Sequence, residues 1–111
     1  MSEANLRWVK VASVNDLADE PALSIVVGTQ KVGLFRVEDD IFALDDICTH
    51  GNALLTEGDL EGSEIECPLH GGVFDVCTGK ALCDPVVKNA TQYPIRIEDE
   101  NILIGVTEDL L

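Results

Sequence analysis

Basic residues are scarce in this chain. Seven Lys and Arg stand against 21 Asp and Glu, a formal net charge of −14 over 111 residues. Phosphate contacts need cations, so this balance argues against nucleic acid and anionic membrane surfaces as partners and favours steering toward a basic protein surface. Long hydrophobic runs are also missing. Ile25-Val26-Val27, the longest apolar run near the N-terminus, is far too short to cross a bilayer. Met1-Ser2-Glu3-Ala4-Asn5 has neither the basic n-region nor the apolar stretch of a secretory signal, so a cytoplasmic protein is expected. Helical periodicity is lacking beyond a single turn, which leaves short strands as the building material. Histidine is nearly absent: the two present are His50 and His70.

The strands are legible from alternation and turn residues. Leu6 to Ala12 reads as a first strand, and Ser13 to Pro21 as a polar connector with one helical turn, Ser13 and Asp16 standing at capping spacing. Ala22–Val27 and Lys31–Val37 are β-branched runs joined by Gly28-Thr29-Gln30, a hairpin signal. Glu38-Asp39-Asp40 turns the chain into Ile41–Leu44. Leu60 to Glu66 is a short glycine-punctuated region, and Val73–Val76 is a strand ending at Thr78-Gly79. Thr91–Glu98 alternates through Tyr93, Ile95 and Ile97, with Pro94 marking a strand edge or start. Asp99-Glu100-Asn101 turns into a last strand, Ile102–Ile104. With nine glycines and four prolines, this pattern predicts one all-β domain over residues 1–111, an antiparallel sandwich or barrel.

Both histidines follow cysteines closely, in Cys48-Thr49-His50 and Cys67-Pro68-Leu69-His70, with 16 residues between His50 and Cys67. Gly51 follows the first pair and Gly71-Gly72 the second, so each pair sits in turn-forming sequence where backbone N–H groups can approach an anionic centre. Three readings compete. The pairs could be incidental, though both being glycine-flanked makes this weak. They could close a structural zinc site, but zinc folds usually draw like ligands from each loop. One Cys and one His per loop suits a two-iron cluster, with both cysteines on one iron and both histidines on the other.

On these motifs the chain resembles the Rieske [2Fe–2S] proteins, over nearly its whole length. It is most similar to the small ferredoxin components of bacterial aromatic ring-hydroxylating dioxygenase systems of the naphthalene and biphenyl type. The resemblance implies a Rieske fold with a cluster-binding part spanning approximately 46–85. It implies that Cys48 and Cys67 hold one iron, and His50 and His70 the other, partly exposed iron. Asp84-Pro85 falls where the family places a proline-containing third loop. Respiratory and photosynthetic members carry an extra cysteine in each loop, where this chain has Ala53 and Leu69. They also carry serine and tyrosine hydroxyls near the cluster, where this chain has Gly72 and Phe74. Hydrogen bonds to sulfur stabilise the reduced state, so their loss predicts a low potential, around −150 mV, yet above the −400 mV or so of plant-type ferredoxins.

The function implied is an electron carrier, not an enzyme. It would take single electrons from an NAD(P)H-dependent flavin reductase and pass them to a terminal aromatic-ring oxygenase. A complete oxygenase needs two further histidines for a mononuclear iron, and none remain. The alternative is a zinc-stabilised interaction module. Between Val37 and Gly79 stand Glu38, Asp39, Asp40, Asp45, Asp46, Glu57, Asp59, Glu61, Glu64, Glu66 and Asp75, with no Lys or Arg. This is read either as a solvated surface or as a docking face for basic partner patches. Cys77 and Cys83 are read as small hydrophobes rather than a disulfide, and Trp8 and Tyr93 as core or rim aromatics.

Overall fold

The computed structural model describes residues 6–49, 53–68, 71–83 and 88–107, and these contain eleven short strands and two 3₁₀ turns. The strands are β1 Leu6–Ser13, β2 Ala22–Val27, β3 Gln30–Val37, β4 Asp40–Asp45, β5 Asp59–Glu61, β6 Glu64–Glu66, β7 Val73–Asp75, β8 Ala81–Cys83, β9 Gln92–Tyr93, β10 Ile95–Glu98 and β11 Asn101–Thr107. They form three antiparallel sheets, ordered β1-β11-β10, β2-β3-β4-β9 and β5-β6-β7-β8. No helix among the described residues is long and apolar enough to cross a membrane.

Two-residue turns close four of the hairpins, and each needs a residue with positive φ. Gly28 (φ 60°) and Gly62 (φ 59°) provide it between β2 and β3 and between β5 and β6. Glu38 and Asp99 take the same conformation at φ 56° despite carrying a Cβ. The expected helical turn after β1 is the 3₁₀ segment Val14–Leu17. Ser13 Oγ accepts from Asn15 N–H at 3.3 Å, and the Ser13 N–H donates to Asp16 Oδ2 at 2.9 Å.

Three expectations need adjustment. The glycine-punctuated region is a hairpin, β5–β6, whose strands are too short for alternation to reveal. Thr91–Glu98 is not one strand. Pro94 has no N–H to give a ladder, and the chain changes sheets there: Tyr93 pairs with Ala43 of β4, whereas Ile95 pairs with Ile104 of β11. The last strand runs on to Thr107 because β1 covers it as far as Leu6.

The first two sheets enclose one apolar core, with Val32, Leu34, Ala43, Ile102, Ile104 and Leu17 among its buried members. A second core lies between the other face of β3–β4 and the small third sheet. Successive side chains of a strand point to opposite faces. Leu34 and Ala43 therefore serve the first core, while their neighbours Phe35 and Leu44 serve the second. β3 and β4 form a wall buried on both sides, and the second core is where Cys48 and Cys67 lie.

Candidate metal centre

The two cysteine-bearing loops share one construction. In the first, a bridge between Ile47 and Leu54 brings the limbs together, and the Cys48 N–H donates to the Ala53 carbonyl at 2.8 Å. In the second, the Glu66–Val73 pair joins the limbs, and the Cys67 N–H donates to the Gly72 carbonyl at 2.6 Å. Each cysteine thus starts a six-residue loop closed by a bond from its own N–H to the carbonyl five residues on. The Gly71 N–H adds a bond to the Cys67 carbonyl at 3.1 Å, made from a backbone with φ 75°.

Cys48 and Cys67 are 3% and 2% exposed, and both belong to the second core with Phe35, Leu55, Ile65 and Phe74. Both thiols are free of disulfides. Matched loops thus carry two reduced sulfurs to one apolar wall, and the sequence offers an imidazole two residues after one and three after the other. That donor set fits a [2Fe–2S] cluster of mixed ligation: soft thiolates on a dry floor, with the imidazole-bearing residues following in each loop. His50, His70, Leu69, Asp84 and Pro85 lie outside the described residues.

The surroundings are built from backbone contacts. Gly58 lies against the strand leading to the second loop, and a Cβ there would stand 1.8 Å from the Glu66 carbonyl oxygen. Phe74 is fully buried in the second core. Thr49, between the two ligand-type residues of the first loop, donates its hydroxyl to the Lys88 carbonyl at 2.7 Å. The following residues are also tied: the Ala81 N–H donates to Asn89 Oδ1 at 2.9 Å, and the Ala90 N–H to the Gly79 carbonyl at 2.7 Å. The first loop and the return limb of the β8 excursion are therefore joined.

Beneath the first loop lies Asp46, fully buried. Its carboxylate accepts from Ser24 Oγ at 2.6 Å, from the Thr56 N–H at 2.8 Å and from Thr56 Oγ1 at 2.8 Å. Its own N–H donates to the Lys31 carbonyl, and its carbonyl accepts from Leu55. Between Val37 and Gly79 it is one acid among eleven. The available signal was parity: continuing the alternation of β4 places Asp46 on the face of Leu44, toward the second core.

The neighbouring Asp45 takes the opposite parity. It accepts from the Tyr93 hydroxyl and, at 3.2 Å, from Gln30 Nε2. Burial first, then the bond to Asp45, pushes the Tyr93 phenol up to about 12. Trp8 lies under the Arg96 guanidinium, 4.2 Å from ring centre to Cζ, a rim aromatic as expected. Cys77 is a free thiol packed against the second core. Burial and, next, the Asp75 carboxylate raise its pKa.

Comparison with known proteins agrees with this construction. The family model described as "Rieske [2Fe-2S] domain" matches residues 7–94. The ferredoxin component of the naphthalene 1,2-dioxygenase system of Pseudomonas putida is 44% identical over 102 residues, covering 92% of this chain and 98% of that protein. The anthranilate 1,2-dioxygenase ferredoxin subunit of Burkholderia cepacia is 36% identical, covering 96% and 99%. Among solved structures, Sphingomonas yanoikuyae B1 ferredoxin superposes with a TM-score of 0.85 at 34% identity, covering 90% and 99%. A chain from the complex of reduced oxygenase and oxidized ferredoxin in carbazole 1,9a-dioxygenase superposes with 0.82 at 35% identity, covering 88% and 92%. The chain belongs to the Rieske [2Fe–2S] family, among the ferredoxin components of dioxygenase systems, and is an electron-transfer subunit rather than a catalytic enzyme.

Proposed function

We propose that this ferredoxin works in the cytoplasm as a single domain over residues 1–111, carrying electrons singly from an NAD(P)H-dependent flavin reductase to the terminal oxygenase of an aromatic-compound dioxygenase system. Cys48 and Cys67 hold one iron of its Rieske cluster, and His50 and His70 the other. The observation that carries the ligand assignment is the pair of matched loops, each closed by a hydrogen bond from the cysteine N–H to the carbonyl five residues on. When bound, the cluster supplies reversible exchange of one electron.

The chain's own residues do the rest. The second core keeps water from the cysteine side, where Cys48 and Cys67 lie buried among Phe35, Leu55, Ile65 and Phe74. The histidine-bearing segments make the exit toward a partner. With Gly72 and Phe74 contributing no hydroxyl, the potential sits near the low end of the Rieske span, around −150 mV. The acidic face draws the protein to basic patches on its partners. Electron-transfer encounters of this kind bury little surface and depend on steering.

The test is spectroscopic. Purified protein reduced with dithionite should give the paramagnetic signal of a Rieske cluster, and His50→Ala or His70→Ala should abolish it, because each iron needs its full ligand set. A full, stable Rieske spectrum in either variant would refute the ligand assignment. A colourless, zinc-loaded wild-type protein would overturn the carrier reading altogether.

A further inference from the structure

Asp46 is the only charged side chain among the described residues that is fully buried. A carboxylate removed from water is costly unless its lone pairs are satisfied. Here three donors satisfy it, and all three are neutral: one backbone N–H and two hydroxyls. Among the described residues no cation pairs with it.

The geometry does not require that charge. Oδ1 accepts from the Thr56 N–H, which can only donate. Oδ2 faces Ser24 Oγ and Thr56 Oγ1, two hydroxyls that can rotate to accept. An asparagine would keep all three contacts, with its oxygen toward the Thr56 N–H and its amide toward the hydroxyls. The strut between β2, the first loop and the 3₁₀ turn Leu55–Glu57 could thus be built from a neutral side chain. What aspartate adds is a negative charge in a low-dielectric interior. Residue 46 stands two positions before Cys48, so their Cα atoms are at most about 7 Å apart. At that range a buried charge acts strongly and is little screened by salt.

We propose that Asp46 is a positioning residue that sets the reduction potential, its buried carboxylate disfavouring the electron that the adjoining cluster receives. This rests on the assignment of Cys48 as a ligand. It separates one acid of the eleven from the rest, since only Asp46 among them is fully buried.

Asp46→Asn is the direct test, read by potentiometric titration with EPR detection at low and high ionic strength, with Glu64→Gln as the surface comparison. The expected result is a one-electron reduction equilibrium favoured about tenfold over wild type, a rise of about 59 mV, equal at both salt concentrations. Glu64→Gln should shift it less, and the shift should shrink with salt. An unchanged potential in a fully loaded Asp46→Asn protein, or a shift that salt removes, overturns the proposal. If Asp46→Asn does not load, Thr56→Val decides. It deletes one donor but keeps the charge, leaving the carboxylate less compensated, so the potential should fall. A rise or no change would overturn the proposal, since the charge is kept and only its compensation is reduced. Iron and sulfide content of Cys48→Ala tests the underlying assignment separately. Full loading there removes the ligand reading and this proposal with it; failed loading together with an unshifted Asp46→Asn removes this proposal alone.

Discussion

Glu64 sits at the centre of a row of acids, and the sheet register shows how unfavourable that is. It lies directly opposite Glu61 on β5 and opposite Asp75 on β7, while Asp59 opposes Glu66 one step along. Asp59, Glu61, Glu64 and Glu66 line a single groove with Val73, and Ile65 between them points into the core. Opposed like charges on neighbouring strands destabilise a sheet, and opposed unlike charges stabilise it, by roughly 0.2–1 kcal/mol per pair. Glu64→Lys converts two repulsive pairs into two attractive ones. Because the site is exposed and screened, the lower half of that range applies, giving a gain of about 1 kcal/mol. For a domain of this size that corresponds to a melting temperature about 4–6 °C higher. The same change adds two units of positive charge beside the second loop, where Glu66 Oε2 comes within 3.6 Å of the Cβ position of Gly71. Electron transfer to the oxygenase should therefore slow several-fold at low ionic strength and converge with wild type as salt screens the face. Thermal unfolding of the holoprotein and stopped-flow reduction of the oxygenase against salt measure the two halves. A less stable variant would refute the reading of the row as mutually repulsive. Rates that superimpose on wild type at every ionic strength would refute its role in docking.

Four further outcomes are expected. The Tyr93 phenol is held neutral up to about pH 12 in the folded protein, against about 10 when unfolded. The folded state then binds the proton more tightly, so its contribution is complete below pH 10 and is lost as pH rises to 12. Chemical denaturation across that window should show stability falling by on the order of 2 kcal/mol, and Tyr93→Phe should remove that slope. Gly58→Ala forces a methyl to within 1.8 Å of the Glu66 carbonyl, so the strand leading to Cys67 must move. A loss of about 2–4 kcal/mol by urea unfolding and poor iron loading are expected. Glu38→Gly relieves a positive φ at the β3–β4 turn and should raise stability by about 0.5–1 kcal/mol, read as a higher urea midpoint at unchanged slope. Thr49→Val deletes the bond to the Lys88 carbonyl, costing about 1 kcal/mol and speeding cluster loss to a chelator, with Thr49→Ser retaining wild-type behaviour.

The sequence by itself determined the elements whose cause is local. Alternation and turn glycines placed most of the strands, because a half-buried strand writes its two faces into successive residues. Ser13 and Asp16 announced their cap because a capping box spans only four residues. Cys48, His50, Cys67 and His70 announced the chemistry, since few purposes put scarce histidines so close to cysteines in two glycine-flanked turns. What only the tertiary structure decided depends on residues far apart in the chain. The short β5–β6 hairpin is held by β7 and the second core rather than by any strong propensity of its own. Pro94 divides an apparently continuous strand because two different sheets wait on either side of it. Asp45 and Asp46 are adjacent acids with equal claims to solvent, yet the strand's alternation sends one to the Tyr93 hydroxyl on the side of the first core and buries the other under the first loop. Ser24 and Thr56, which make that burial tolerable, stand 22 residues before Asp46 and 10 after it. Such partners meet only once the double-sided wall of β3 and β4 has formed.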